Sequence, residues 1–219
     1  TVTLGGGTSS TVNIGIAAGG FGADKIRDAL NSFTGVSATA ETKVTLSGAS
    51  LIAQSAGSTL KIYDTGTAGT ELASISFAGN TTSDTAQTIA AQINALTTGL
   101  VATVMGTAGN SNVQIVDVNG NTLSFNLFST SAGAGSINVT VNDRAGGTSA
   151  ALSIAAGTSA ANSTGSAVVA VGYIKDIEVD DPSVTGFTMT SNLALTSNST
   201  ATGSSLGVVT TYLATNGAF

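Results

Sequence analysis

The apolar positions of this chain change period several times, and each change marks an element. From Asp24 to Phe33 the residues Ile26, Ala29, Leu30 and Phe33 recur at i, i+3, i+4 and i+7, which places them on one face of a helix. Asp24 is suited to cap its start. Thr34-Gly35 then stops it, and Val36 to Glu41 alternates with period two, as a half-buried strand does. A strand-like run, Ser10 to Ile16, precedes this helix.

The same plan recurs further on. Strand patterns at Leu60 to Tyr63 and Leu72 to Phe77 lead into Asp84 to Leu96, where Ala86, Ile89, Ala90 and Ile93 form an apolar helical face. Asp84 and Gln87 have the spacing of a capping box. Thr98-Gly99 and the alternating run Leu100 to Val104 follow. Ile26 and Ile89, Leu30 and Ile93, and Asn31 and Asn94 each stand 63 positions apart (89 − 26), while Gly35 and Gly99, and Ala38 and Ala102, stand 64 apart. The spacing predicts an internal repeat, 10–41 and 60–104, made of two β-β-α-β modules that differ by one residue in the turn.

Beyond residue 104 the pattern is strand and turn. Asn112 to Val118, then Asn119-Gly120, then Asn121 to Leu127 reads as a β-hairpin, because Asn-Gly readily takes positive φ. Further strands are expected over 136–142, 150–155 and 167–179, and two or three more over 186–219, with Gly/Ser-rich connectors between them. The fold class is therefore β-dominated α+β: short-stranded β modules, two of them each carrying one short amphipathic helix. The preferred division takes 1–50 plus 166–219 as one discontinuous domain and 51–165 as a domain inserted into it.

Composition sharpens this picture. Of 219 residues, 42% are hydrophobic and only 8% charged, against about 25% charged in ordinary soluble domains. Hydroxyls and amides of Thr, Ser and Asn must hydrate the surface instead. Twelve acids face six bases, for a net charge of −6, and no Lys/Arg cluster occurs along the sequence, so a nucleic-acid partner is not expected. No run of about 18 apolar residues suggests a membrane span. Thr1-Val2-Thr3-Leu4 lacks the basic start of a secretory signal and already reads as strand, which predicts a processed chain or an excised fragment.

Catalytic constellations are sought and discounted. With no His and no Cys, Ser-His-Asp and Cys-His devices are excluded, as are thiolate metal sites. Gly203-Ser204-Ser205-Leu206-Gly207 fits G-x-S-x-G, yet no helix pattern follows it and no His is present to serve as base. Ser58-Thr59-Leu60-Lys61 fits S-x-x-K within a strand pattern, where an offset of three sends the two side chains to opposite faces. Asp117 to Asn121 opens like a calcium loop but has Phe128 where the twelfth-position acid belongs. The acidic run Asp176 to Asp181 reads as a solvated strand edge. N-x-S/T triplets at Asn80, Asn138, Asn162 and Asn198 are expected by chance in so Asn- and Ser-rich a chain. No enzyme activity, cofactor or metal is expected.

The repeated segments carry a resemblance. Asp24 to Asn31 with Thr34 to Ala40, and Thr88 to Asn94 with Gly99 to Val104, resemble the "IN" motif of bacterial flagellins and hook-associated proteins, in which a helix ending in Ile-Asn or Leu-Asn leads through a glycine turn to a V-x-A strand. In this chain its positions are Ile26, Leu30, Asn31, Gly35 and Ala38, and Ile89, Ile93, Asn94, Gly99 and Ala102. The chain lacks the long terminal helices through which flagellins polymerise, so the resemblance is to the outer, solvent-facing domains alone. It implies a structural protein at the bacterial cell surface or in an extracellular flagellar filament, serving motility. Its partners would be neighbouring copies of the same subunit, with O-linked glycosylation of Ser/Thr. An adhesin, a surface-layer domain or a hook-associated or cap protein that binds a glycan or partner protein is the alternative expectation.

Overall fold

A computed structural model of the chain describes residues 2–5, 10–12, 22–34, 36–52, 54, 56–64, 70–77, 85–106, 111–129, 135–144, 146–156, 168–170, 172–179 and 186–189. The fold is β-dominated α+β. In chain order the elements are β1 (Val2–Gly5), β2 (Ser10–Val12), α1 (Ala23–Asn31), β3 (Val36–Leu46), α2 (Gly48–Ile52), β4 (Ser58–Asp64), β5 (Thr70–Ser76), α3 (Thr85–Asn94), β6 (Leu100–Met105), β7 (Asn112–Asp117), β8 (Leu123–Ser129), β9 (Ser136–Asn142), β10 (Leu152–Ala155), β11 (Val168–Ala170), β12 (Tyr173–Val179) and β13 (Gly186–Met189).

Among the described residues three antiparallel sheets form. One has the order β13-β1-β2, one β11-β8-β4-β5, and the largest β10-β9-β3-β7-β6, with β12 pairing the first half of β3. One apolar core runs through the second and third sheets, α2 and α3. Leu46, Leu51, Leu60, Ile62, Ile75, Ile89, Ile93, Ile115, Phe125 and Leu127 are among its sealed side chains. Apart from this cluster, α1 packs on β3 and β12, and Ile26, Leu30, Val36, Ala38, Ala40 and Ile174 are buried.

Two sets of strand pairings follow a similar order. In the first unit β1 and β2 form an antiparallel pair, α1 and β3 follow, β12 pairs β3, and β13 pairs β1. In the second unit β4 and β5 form the pair, α3 and β6 follow, β7 pairs β6, and β8 pairs β4. The registers agree: Ala38 faces Ile177 as Ala102 faces Ile115, and Leu4 faces Phe187 as Ile62 faces Phe125. Ile177 and Phe187 lie 62 positions after their counterparts (177 − 115). The second unit is thus nested in the chain between β3 and β12 of the first. Strand β3 joins them: Val36 to Glu41 pair β12, while Thr42 to Leu46 pair β7 and Lys43 to Leu46 pair β9.

Several local expectations are corrected. Asn119-Gly120 does form a turn, with Gly120 at φ 70° and its N–H donating to the Asp117 carbonyl at 3.3 Å. The flanking strands do not pair as a hairpin, however. β7 joins β3 and β6, whereas β8 joins β4 and β11, so the turn is a corner between sheets. Burial explains the difference. Both strands carry large apolar residues that are sealed by different partners, and that burial outweighs what one two-stranded ribbon could gain. Asp24 does not cap α1; the cap position is Gly22, and Asp24 is the second helical residue. The expected strand over 167–179 is broken into β11 and β12 around Gly172, where a Cβ would stand 2.8 Å from the Glu41 carbonyl oxygen and 2.9 Å from that of Gly120. The short helix α2 lies where no periodicity signals one. Asp84 of the capping box, residues 13–16 of the first strand run and the tail beyond 189 lie outside the described residues.

Candidate functional site

The repeat-motif residues come together in one construction, made twice. At the end of α1, Asn31 donates from Nδ2 to the Ala38 carbonyl at 3.1 Å and accepts the Ala38 N–H on Oδ1 at 2.6 Å. At the end of α3, Asn94 donates to the Ala102 carbonyl at 2.8 Å and accepts its N–H at 2.7 Å. A side-chain amide presents one donor and one acceptor side by side, as a neighbouring strand would, so each Asn acts as a one-residue strand partner for the next element. The apolar members explain themselves. Ile26, Leu30, Ile89 and Ile93 seal the helix against its sheet, and Ala38 and Ala102 are buried where a larger side chain would push the helix away. Gly99 has φ 86°, and a Cβ there would meet the Asn119 side chain. Gly35 lies outside the described residues.

The corner between β7 and β8 is the joint of the two units. Asp117 is sealed from solvent. Its carboxylate accepts the N–H of Asn119 at 3.0 Å and of Asn121 at 2.9 Å, closing the turn from inside. Burial raises its pKa above the ordinary value of 3.8, and these bonds to the ionised form oppose the rise only in part. The outer rim of the same turn serves both units. Gly120 and Asn119 carbonyls accept the Asp24 N–H at 3.1 Å and Arg27 Nη1 at 2.5 Å from α1. The Val118 N–H donates to the Gly99 carbonyl at 3.2 Å, and Thr42 Oγ1 donates to the Asn121 carbonyl at 2.6 Å.

Beside this joint lies an open cleft of about 750 Å3, lined by Thr39, Ala40, Glu41, Lys43, Val118, Arg144, Tyr173, Lys175 and Asp176. Alternation along β3 turns Glu41 and Lys43 to the outer face of the sheet, opposite the core, yet Glu41 is only 6% exposed. Tyr173, its cross-strand partner, donates its hydroxyl to Glu41 Oε1. Lys43 Nζ stands 3.1 Å from Oε1 and Lys175 Nζ 3.0 Å from Oε2. Burial pushes the Glu41 pKa up, but the donors Tyr173, Lys175 and Lys43 together outweigh it and hold the carboxyl below its ordinary value. Lys175 reaches this position because β12 bulges between Ile174 and Asp176.

This cluster is absent from the sequence-based candidates. The signal for it was Glu41-x-Lys43 on an alternating strand, which puts opposite charges on one face; Tyr173 stands 132 residues from Glu41 and, like Lys175, leaves no local trace. The serine candidates fare differently. Ser58 is buried with Oγ 3.4 Å from Ser129 Oγ, while Lys61 turns outward to Glu71 at 2.8 Å. Gly203 to Gly207 lies outside the described residues. Among the described residues no group of three or more Asp/Glu side chains is placed to hold a metal ion, and no helix is long and apolar enough to cross a membrane.

No protein-family model matches the chain, and no curated protein sequence matches it. Among solved structures, the chain is similar to the D2-D3 domains of the flagellar cap protein FliD from Escherichia coli at 15% identity. That match covers 73% of this chain and 97% of that one, with a TM-score of 0.31. It is also similar to the D1-D2-D3 domains of the same protein at 14% identity, covering 74% of this chain and 55% of that one, with a TM-score of 0.30.

Proposed function

We propose that this chain forms the surface-exposed outer domains of a flagellin-like or hook-associated subunit, a structural component of an extracellular bacterial filament without catalytic activity. The observation that carries the reading is the duplicated amide clip, Asn31 on Ala38 and Asn94 on Ala102, because it is built by the very residues that resemble the flagellar "IN" motif. A polar but scarcely charged exterior supports display at a surface exposed to salt and proteases, since it depends little on screened ion pairs. The nested pairing supports the division into a proximal domain built from both chain ends and an inserted distal one. Neighbouring copies of the subunit are the proposed partners, and exposed hydroxyls such as those of Ser37 and Thr39 are proposed acceptors for O-linked sugars.

Immunogold electron microscopy of the source cells with antibody to this chain tests the reading. Label along a helical filament is the expected result, and label confined to the filament tip would assign the chain to a cap. Label spread over the cell wall with none on any filament would overturn the flagellar reading in favour of an adhesin.

A further inference from the structure

Helix α3 carries a second side-chain amide that holds a strand. Gln92 donates from Nε2 to the Ser76 carbonyl at 3.3 Å and accepts the Ser76 N–H on Oε1 at 3.1 Å. These are the same two bonds that Asn94 makes to Ala102. Ser76 ends β5 and Ala102 lies in β6, and each of these strands is the last of its sheet: β5 in the order β11-β8-β4-β5, β6 in the order β10-β9-β3-β7-β6. The helix packs on both. One helix thus supplies hydrogen-bond partners to two sheet edges that, among the described residues, no strand pairs. The first copy differs. At the place of Gln92 it has Ala29 (92 − 29 = 63), which offers no amide, and its Asn31 serves β3, an inner strand with β12, β9 and β7 as partners.

A bare edge presents unpaired N–H and C=O groups to any other strand, and proteins blunt it with charge, proline or a covering element. Strand β6 reads Leu-Val-Ala-Thr-Val-Met, with neither charge nor proline, and Val101, Thr103 and Met105 are exposed along it. Asn94 is exposed as well, so the edge it fills borders solvent. The Asn94 bonds show that the Ala102 N–H and C=O point outward from the sheet edge, and Leu100 and Val104 share that direction by alternation. Laid antiparallel on a second β6 with Ala102 opposite Ala102, the strand sets Leu100 opposite Val104 and Val104 opposite Leu100. Every outward group then meets a partner, and no like charges meet. That ladder needs the Ala102 groups at its centre, and Asn94 occupies both.

We infer that α3 is an edge cover, and that the edge of β6 beneath Asn94 is a latent pairing surface for a second copy of this chain. Gln92 closes the edge of β5 in the same way. The inference stands on the clip geometry and the sheet order, and it does not depend on the flagellar reading.

Light scattering over a range of concentration, with circular dichroism to establish that each variant is folded, tests it. Asn94→Ala should associate to about twice the parent's average mass, because a contact made by the same edge of both copies uses up that edge and stops there. Adding Gln92→Ala opens the edge of β5 as well, so the double variant should pass beyond about twice that mass. Asn31→Ala removes the same two bonds from an inner strand and should keep the parent's mass, which separates an opened edge from a loss of stability. Thr103→Lys introduced into Asn94→Ala puts a charge on the exposed face of the edge strand and should restore the parent's mass. Should Asn94→Ala not fold, Asn94→Leu, similar in bulk and without hydrogen-bonding groups, carries the same test. A folded position-94 variant at the parent's mass would overturn the inference, as would equal association by Asn31→Ala or a failure of Thr103→Lys to reverse it. None of these outcomes bears on where antibody labels the source cells, so the edge cover and the flagellar reading fail separately.

Discussion

The two repeated units share a skeleton and differ in how the chain closes them. The second is built from one continuous stretch, Ser58 to Ser129, whereas the first uses Val2 to Glu41 and then waits for Tyr173 to Met189. Closing a long loop costs entropy before the distant strands contribute any contact, so the second unit is the one able to form on local information. It is also the one whose helix joins the large core: Ile89 and Ile93 belong to it, while Leu30 is sealed in a smaller contact between α1, β3 and β12. The comparison teaches that one helix-clip-strand device can be held either by a deep core around it or by strands delivered from afar.

The sharpest way to break this comparison is to empty each core. Ile93→Ala and Leu30→Ala both delete sealed side chains, and each should cost about 2–5 kcal/mol in urea unfolding, with Ile93→Ala at the upper end because it lies in the continuous core. If the units are coupled through β3 and the Asn119-Gly120 corner, both variants should still unfold in one transition. Separate transitions for Leu30→Ala would mean that the first unit can melt alone.

The clips come next. Replacing Asn31 or Asn94 by Ala removes two hydrogen bonds and leaves the Ala38 or Ala102 backbone without its partner. The expected loss is about 1–3 kcal/mol each, similar for the two sites. Effects at distant sites add, so the double variant should lose the sum to within about 0.5 kcal/mol. A cost at Asn94 and none at Asn31 would show that only one copy depends on its clip.

How much of this was legible beforehand follows from the range of each interaction. The helix faces, the strand alternation of β3 and β6, the span of β9 and the repeat itself are written in near-neighbour periodicity, and Asn31 and Asn94 stood out because both copies keep them at the same offset. What the clip amide does could not be read, since Ala38 and Ala102 look like ordinary strand positions until the helix is folded back. The Asn119-Gly120 turn was legible but its strands' partners were not, because a turn fixes local φ and says nothing about which sheet each strand joins. The Glu41 cluster is the extreme case: its members come from β3 and β12 and meet only after the second unit has been inserted between them.

Gly99 sharpens the turn of the second copy. An L side chain at φ 86° costs about 1–2 kcal/mol, and Gly99→Ala would also press on the Asn119 side chain at the joint. Gly146 supplies the control: its φ is 84° but a Cβ there meets nothing within 4 Å, so Gly146→Ala should show the backbone cost alone. The difference between the two variants in thermal unfolding measures the contact at the joint. Equal losses would mean that the turn does not transmit strain from one unit to the other.

The smallest effect is in pH, and it sets the two buried carboxylates against each other. Glu41 is held below its ordinary value of 4.5, so its contribution is full above that value and is lost as pH falls through the lower folded value. Asp117 is raised above 3.8, so the folded chain binds its proton more tightly than the unfolded chain does. Its contribution is full in acid and is lost as pH rises from 3.8 through the raised folded value. The two slopes therefore have opposite sign in the mildly acidic range. Stability measured against pH should lose the acid-side decline in Glu41→Gln and the opposing decline in Asp117→Asn. The comparison is of slopes, because each amide also alters the baseline: Glu41→Gln leaves two ammonium groups without their carboxylate, and Asp117→Asn can accept only one of the two turn N–H groups. An unchanged slope in Asp117→Asn would mean that the corner joining the two units keeps the same charge in the folded and unfolded chain, and that its closure depends on hydrogen bonding alone.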